Sequence, residues 1–254
     1  MHIAFITDLH IGAENEKPFN IDVRSHFEQV LQEVKSHEPD LIILGGDLCL
    51  EHADKEVYEY IKSHLDAVGI SYNILSGNHD NATDIAEVFH LPLWKNQLVK
   101  RTRLGGVELF FLDSTSAEIP QQQLEWLQKE LEECKSPVFV FVHHPPLKAD
   151  MPYMDAEWPL ENGAALEQVL LDFGEQVFVF AGHYHIEKTT IRKNITQFIT
   201  PSCFVQIDQF AKQFKTDHSV PAWRMILWEN NTLQTAVHYE MISRCAPIVI
   251  VGAD

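Results

Sequence analysis

Residues 177–185 read Val-Phe-Val-Phe-Ala-Gly-His-Tyr-His. The first five are a short apolar run, which reads as a buried strand. A glycine and two histidines one residue apart close it. The same grammar recurs toward the N-terminus. Residues 138–145 run Val-Phe-Val-Phe-Val-His-His-Pro, and residues 72–80 run Tyr-Asn-Ile-Leu-Ser-Gly-Asn-His-Asp. Residues 41–47 are Leu-Ile-Ile-Leu-Gly-Gly-Asp, and residues 2–10 are His-Ile-Ala-Phe-Ile-Thr-Asp-Leu-His. Ligand sites in α/β sheets form beyond the carboxyl ends of strands. Five such ends here carry carboxylate, imidazole or amide groups. A further strand, residues 107–112, ends in Asp113, which reads as structural.

Helices separate these strands. Phe27, Val30, Leu31 and Val34 follow the i, i+3, i+4, i+7 spacing of one helical face, and Pro39 ends that helix. Val57, Ile61, Leu65 and Val68 mark a second. Leu124, Leu127 and Leu131 lie on a third, entered at Pro120. Leu166, Val169, Leu170 and Phe173 lie on a fourth. After Thr190 the pattern becomes short strands at 196–200, 204–207, 224–228 and 233–238, with Asn230-Asn231 as a hairpin turn. The chain opens as α/β and closes as β, which predicts one α/β sandwich over residues 1–254 with two sheets. The mostly β stretch at about 195–254 is expected to complete the second sheet. Residues 145–159 form the longest irregular segment, and loops of that length are often functional.

The donor types suit borderline first-row metals such as Mn, Fe, Co or Zn. Glycine beside a donor lets backbone approach an ion closely. In Asp8-x-His10 and His183-x-His185, alternate residues point to one side if the strand continues. Each motif alone has an ordinary structural reading: Asp47 as a turn or cap residue, Gly77-Asn78-His79-Asp80 as a tight turn, His143 as a core histidine. Five in this order, each after a strand, do not.

Bulk composition narrows the function. Nineteen Lys+Arg against thirty-seven Asp+Glu give a net charge of −18. That argues against a nucleic-acid polymer as partner, which calls for basic patches. It also requires that any phosphate substrate meet positive charge from another source, such as metal. No apolar run reaches the ~18 residues of a membrane helix, and no export signal is read, so the expected location is the cytoplasm, with no membrane partner. Cys49, Cys134, Cys203 and Cys245 contain no Cys-x-x-Cys and read as reduced thiols. An apolar strand-like stretch at 246–251 could pair within the sheet or across a dimer.

The motifs Asp-x-His, Gly-Asp, Gly-Asn-His-Asp, His and Gly-His-x-His together resemble the calcineurin-like metallophosphoesterases. The resemblance implies a four-layer α/β/β/α sandwich with two central mixed sheets and a dinuclear centre of divalent or trivalent first-row ions. By matching position, one ion takes Asp8, His10, Asp47 and His185. The other takes Asp47, Asn78, His143 and His183, with Asp47 bridging. His79 is left free of metal and faces the substrate phosphate. A closer similarity covers the second half: His143-His144-Pro145-Pro146, Met154-Asp155, Leu160-Glu161-Asn162, Thr200-Pro201-Ser202, Phe204 to Asp208 and Pro221-Ala222-Trp223-Arg224. These are similar to the class III cyclic-nucleotide phosphodiesterases, bacterial 3′,5′-cyclic-AMP phosphodiesterases among them.

That resemblance implies hydrolysis of a small phosphodiester, with 3′,5′-cyclic AMP giving 5′-AMP. Two-ion chemistry activates a shared water, which attacks phosphorus in line with the leaving oxygen. No Gly-x-Ser-x-Gly nucleophile motif is present. His79 donates a proton to the leaving oxygen or holds a phosphate oxygen. Asp80 reads as a residue that orients a ligand, or else as a turn or cap. His144 reads as a pocket wall or a support to the ligands. Met151, Tyr153, Met154 and Trp158 offer apolar area for a base, as do Phe204 and His218. Residues 14–20 are less typical and lie near the first ligand pair. Other readings are a broad phosphodiesterase or phosphomonoesterase, for example on glycerophosphodiesters, a DNA nuclease of the same superfamily, and a non-catalytic interaction scaffold. Charge opposes the nuclease, and the intact ligand set opposes the scaffold.

Overall fold

The computed structural model describes residues 1–135 and 137–240. Cys245 and the stretch at 246–251 lie outside the described residues.

The Val-Phe alternation explains the layering, because successive side chains of a strand leave on opposite faces. In β6 (Val138–Val142) and β7 (Val177–Ala181) the valines face one apolar cluster, while Phe139, Phe141 and Phe180 face another. The valine side packs on α4 (Gln121–Glu132) and α5 (Gly163–Phe173) through Leu124, Leu127, Leu166 and Leu170. The phenylalanine side packs on a second sheet. There β1 (His2–Ile6) and β2 (Leu41–Leu44) contribute Ile3, Phe5, Leu41 and Ile43. Their opposite residues, Ala4, Ile6, Ile42 and Leu44, meet α1 (Val23–Ser36) and α2 (Lys55–Val68). The result is the expected four-layer α/β/β/α sandwich with two mixed sheets.

The first sheet runs β11-β10-β1-β2-β3, with β3 at Tyr72–Ile74, β10 at Ala222–Glu229 and β11 at Thr232–Tyr239. The second runs β4-β5-β6-β7-β9-β8, with β4 at Lys100–Leu104, β5 at Val107–Leu112, β8 at Lys188–Arg192 and β9 at Ile195–Ile199. Parallel register places Phe111, Phe141, Phe180 and Phe198 side by side across four strands. Neighbouring rings in this row are 5.2–5.3 Å apart and within 19° of parallel. Such a row favours one register over its neighbours, since a one-residue slip would turn every ring toward the helices.

The expectation that 195–254 completes the second sheet needs correction. β9 does join it, but β10 and β11 extend the first sheet, with β10 antiparallel to β1. The open edge of β1 takes them because Ile226 and Trp228 fall on the same inner face as Ile3 and Phe5. The turn between β10 and β11 is as predicted: Asn230 and Asn231 both have positive φ, 50° and 58°, as a type I′ hairpin requires. Buried Arg224 then ties the sheets together. Its guanidinium donates to Thr200 Oγ1 and the Ile199 carbonyl at the end of β9, and to Thr235 Oγ1 in β11. Residues 204–207 are not a strand. They form a loop, and the Val205 carbonyl on it accepts from a buried histidine, His185.

Candidate metal centre

Strands β1, β2, β3, β6 and β7 deliver their ends to one place between the sheets. The chain does not continue extended there, which corrects the expected alternation. Asp8, His10, Asp47, His183 and His185 all have positive φ, between 46° and 65°. Each turns its side chain back toward the centre through a left-handed residue, a conformation costing about 1–3 kcal/mol that clusters at functional sites.

Two glycines make this packing possible. A Cβ at Gly77 would lie 2.2 Å from Asp47 Oδ1, and one at Gly182 would lie 2.5 Å from Asp8 Oδ2. Both carboxylates are therefore seated directly against backbone that no other residue type could provide.

The imidazoles are oriented from behind. The Nδ1–H groups of His10, His143 and His185 face the carbonyls of Leu50, Gly45 and Val205 at 3.3, 2.8 and 2.7 Å. Donation there leaves each Nε2 free to act as a ligand atom. His183 is held the other way, through Nε2 to the Trp158 carbonyl at 2.9 Å. The three Nε2 atoms converge on the carboxylates: His185 lies 3.2 Å from Asp8 Oδ1, His143 3.2 Å from Asp47 Oδ2, and His10 3.7 Å from Asp47 Oδ2. Donor triads able to hold a cation form around Asp8, His10 and His185, around Asp8, Asp47 and His143, and around His143, His144 and His183. Asp47 stands between the two sides.

Burial pushes His10 down to about 4 and His183 to about 3. His143 is buried too, but Asp47 beside it lifts it to about 9. Burial would raise Asp8, yet His185 and His143 hold it at about 2. Two buried carboxylates thus demand positive charge from whatever lies beside them. Asn78 Oδ1 and His143 Nε2 are buried without a hydrogen-bond partner. A buried acceptor and a buried ring nitrogen aimed into a carboxylate-lined space fit cation binding.

Asp80 is not the cap of the following helix. Asn81 caps α3 (Ala82–Phe89), accepting from Thr83 and Asp84 N–H. Asp80 instead receives the N–H groups of Leu48, Cys49 and Gly77 and the Tyr58 hydroxyl. It clamps the Asp47 loop to the Asn78 loop. Burial, then the charge of Asp47, push its carboxyl up to about 7. In Asp80→Asn one amide group would face donors. The expected result is a loss of about 1–3 kcal/mol in stability and a metal affinity lower by about ten- to a hundredfold. Denaturant unfolding of the metal-free protein and a metal titration check the two effects separately.

His144 shares a 2.8 Å hydrogen bond with Ser114 Oγ, and its ring packs 4.1 Å from His183. It supports His183 from the side facing a second cavity, of about 500 Å³. Thr200-Pro201-Ser202 lies under the first ligand pair: Ser202 Oγ donates to the Asp8 carbonyl, and Cys203 N–H to that of Thr7. Asp113 is structural, accepting from Leu98 and Thr115 N–H. Cys49, Cys134 and Cys203 are free and buried.

A cleft of about 340 Å³ opens from the centre. His10, Asp47, Asn78, His79, His183 and His185 form its floor, and among the described residues no lysine or arginine lines it. Tyr153, Met154, Trp158 and Phe204 line its side, as expected. Met151 is fully buried beneath them, and His218 lines a neighbouring cavity instead, capping Val220 N–H. Two further aromatics, Phe19 and Phe214, reach this cleft. Phe19 belongs to the atypical segment at 14–20, and Phe214 lies in a loop without periodic signal.

No helix among the described residues is long and apolar enough to cross a membrane. Residues 1–187 match the family described as calcineurin-like phosphoesterase. A relative from Fibrobacter succinogenes, named a probable cyclic nucleotide phosphodiesterase, is 32% identical over 241 residues, covering 94% of each chain. One from Arcobacter nitrofigilis, named a probable glycerophosphodiester phosphodiesterase, is 27% identical, covering 77% of this chain and 76% of that one. The fold is shared with a solved dimetal phosphatase from Danio rerio, at a TM-score of 0.63 and 12% identity over 89% of this chain and 94% of that one. The match spans all five strand ends that carry the donors, and the chain belongs to the calcineurin-like phosphoesterase family.

Proposed function

We propose that this chain is a cytoplasmic, metal-dependent phosphodiesterase that hydrolyses a small cyclic nucleotide, foremost 3′,5′-cyclic AMP to 5′-AMP. One first-row ion (Mn, Fe, Zn or Co) is held by Asp8, His10, Asp47 and His185. A second is held by Asp47, Asn78, His143 and His183, and Asp47 is common to both. The observation that carries this reading is a cleft floor of converging carboxylates, imidazoles and an unpartnered amide oxygen, in which, among the described residues, no lysine or arginine stands ready for a phosphate. An anionic diester could not enter such a site against two buried carboxylates without cations.

When bound, the ion pair supplies an activated water and neutralises charge on the phosphoryl oxygens. The residues do the rest. Backbone carbonyls fix the imidazole ring orientations before substrate arrives. Thr7 and the His183 N–H fix Asp8. His79, with a side chain 31% exposed at the cleft and its Nε2 4.0 Å from Asp47 Oδ2, is placed to reach the substrate's phosphate or its leaving oxygen. The leaving ribose oxygen takes up a proton as its bond to phosphorus breaks.

Two findings support a cyclic nucleotide: the Fibrobacter relative along nearly the whole chain and the apolar side of the cleft. A second reading, a glycerophosphodiester substrate, is favoured by the Arcobacter relative. Metal-reconstituted protein should be compared on 3′,5′-cyclic AMP, 2′,3′-cyclic AMP, glycerophosphoethanolamine, bis-p-nitrophenyl phosphate and p-nitrophenyl phosphate. Asn78→Ala serves as the inactive control. The expected outcome is the highest kcat/KM on 3′,5′-cyclic AMP. Turnover of glycerophosphoethanolamine with cyclic AMP untouched would establish the second reading instead.

A further inference from the structure

Six large apolar side chains are exposed among the described residues, and three of them, Phe19, Trp158 and Phe214, line the cleft that opens from His10, Asp47 and His185. Their clustering needs a cause, since single exposed apolar residues are ordinary but contiguous ones mark a binding surface. The rings form an unbroken series. His10 lies 5.6 Å from Phe204, Phe204 5.8 Å from Phe19, Phe19 6.3 Å from Phe214, and Phe214 6.2 Å from Tyr153. The series begins at a metal donor and ends at Tyr153, whose hydroxyl accepts from Trp158 Nε1.

The outermost two rings are presented by specific backbone devices. Phe19 has φ 52° and ψ 26°, in a single tight turn at Pro18–Asn20. A bulky residue in that region is an outlier, and such strain points to function when the surroundings enforce it. Here they do: Asn20 and Ile21 N–H close the turn on the carbonyls of Lys17 and Pro18, and Lys17 pairs with Asp22 at 2.9 Å. The outcome is a phenyl ring left 61% exposed. Phe214 sits on a loop closed by Asp208 and Lys215 through a backbone bond and an ion pair, and by a bridge between Ile207 and Thr216. Its ring is 49% exposed.

We infer that Phe19 and Phe214, backed by Phe204, are the specificity-determining wall of this enzyme. They stack a flat ring carried on one arm of the phosphodiester, and so select nucleobase-bearing or aryl diesters over aliphatic ones. The inference rests on the phosphodiesterase reading and sharpens its substrate class. The wall is continuous with the donor floor, so a diester seated on the ions places an arm against it. Among the described residues no lysine or arginine lines this wall, which suits a neutral ring. Stacking on aromatic side chains tolerates any base, so the wall discriminates ring from no ring rather than one base from another.

The test uses Phe19→Ala, Phe214→Ala and the double variant, metal-loaded, with 3′,5′-cyclic AMP, bis-p-nitrophenyl phosphate and glycerophosphoethanolamine. Because Phe19 is 61% and Phe214 49% exposed, the core is untouched, and thermal unfolding should confirm it. For the double variant the expected result is a KM raised roughly ten- to a hundredfold on the two ring-bearing diesters, with kcat little changed and the aliphatic diester unaffected. Phe19→Tyr should restore most of the loss in the Phe19 background. Calorimetric binding of 5′-AMP against glycerol 3-phosphate gives a readout without turnover, and only the nucleotide should weaken. Equal losses on all three diesters, or none, overturn the wall. If the unaltered protein leaves cyclic AMP intact, the cyclic-nucleotide reading fails while the aryl-to-aliphatic comparison still decides the wall. If it hydrolyses no diester at all, the 5′-AMP comparison decides it.

Discussion

Asp47→Asn is expected to lower kcat by roughly a thousandfold or more on every diester, with the fold preserved. The substitution is chosen for its backbone. Asp47 has φ 50°, a region asparagine enters more readily than other residues with a side chain. It also keeps an oxygen for the His79 N–H, which Asp47 Oδ1 accepts at 2.9 Å. What is lost is charge at the one position shared by both sides of the centre. Asp47 Oδ2 lies 3.2 Å from His143 Nε2 and 3.7 Å from His10 Nε2. An amide there either turns N–H groups toward those nitrogens or offers a neutral oxygen in place of an anion. Burial alone would raise the Asp47 carboxyl, yet His143 and its neighbours hold it well below the usual carboxylate range, so it is the charged form that the site is built around. Metal content measured beside activity should fall below two ions per chain, while circular dichroism stays unchanged. Full activity with Asn at this position would remove Asp47 from the role common to both ions.

The clustering of Asp8, His10, Asp47, His143, His183 and His185 is legible in the sequence because its grammar is topological. A parallel strand delivers its next residues to the sheet's carboxyl edge, so a buried run that leads into Gly, Asp, Asn or His marks the site without coordinates. The way the donors converge is not legible. Alternation predicts Asp8 and His10 on one side of a continuing strand, whereas both sit in left-handed turns that no residue-type pattern announces. Among the strands, β4 and β8 escape pattern reading because they are the edges of the second sheet and carry Lys-Arg-Thr-Arg-Leu and Lys-Thr-Thr-Ile-Arg. Charged edges discourage pairing with other chains, and in doing so erase the apolar signature. Arg101 in β4 pairs with Glu108, Glu130 and Glu133. Helix α3 is hidden because it is only eight residues long and begins directly after Gly77-Asn78-His79-Asp80, a run with the composition of a turn. The aromatic wall is half legible. Tyr153, Trp158 and Phe204 lie in segments that the sequence marks, and Phe19 falls in the atypical segment at 14–20, but the turn that presents Phe19 and the loop that carries Phe214 have geometry only tertiary contacts define.

His79→Ala is expected to lower kcat on 3′,5′-cyclic AMP by roughly a hundred- to ten-thousandfold without removing metal. The resemblance leaves the side chain outside the donor set, although His79 stands close enough to His10 and Asp47 to share a cation with them, so metal content is measured beside the rate. What His79 gives Asp47 is a backbone N–H, which alanine supplies equally. Its ring meets His10 edge-on at 4.9 Å with Nδ1 buried, while the side chain is 31% exposed at the cleft, so a substrate meets the exposed part of the ring and not Nδ1. The leaving group then separates its two possible roles. A ribose alkoxide is a poor leaving group and needs a proton as its bond to phosphorus breaks, whereas p-nitrophenolate departs without one. If His79 protonates the leaving oxygen, the loss should be large on cyclic AMP and small on bis-p-nitrophenyl phosphate. If it holds a phosphate oxygen, both substrates should lose alike, because both carry the same phosphoryl group. Either pattern with full metal content places His79 in the reaction. An unchanged kcat on both diesters would reduce the ring to a wall of the cleft and leave the proton to come from solvent.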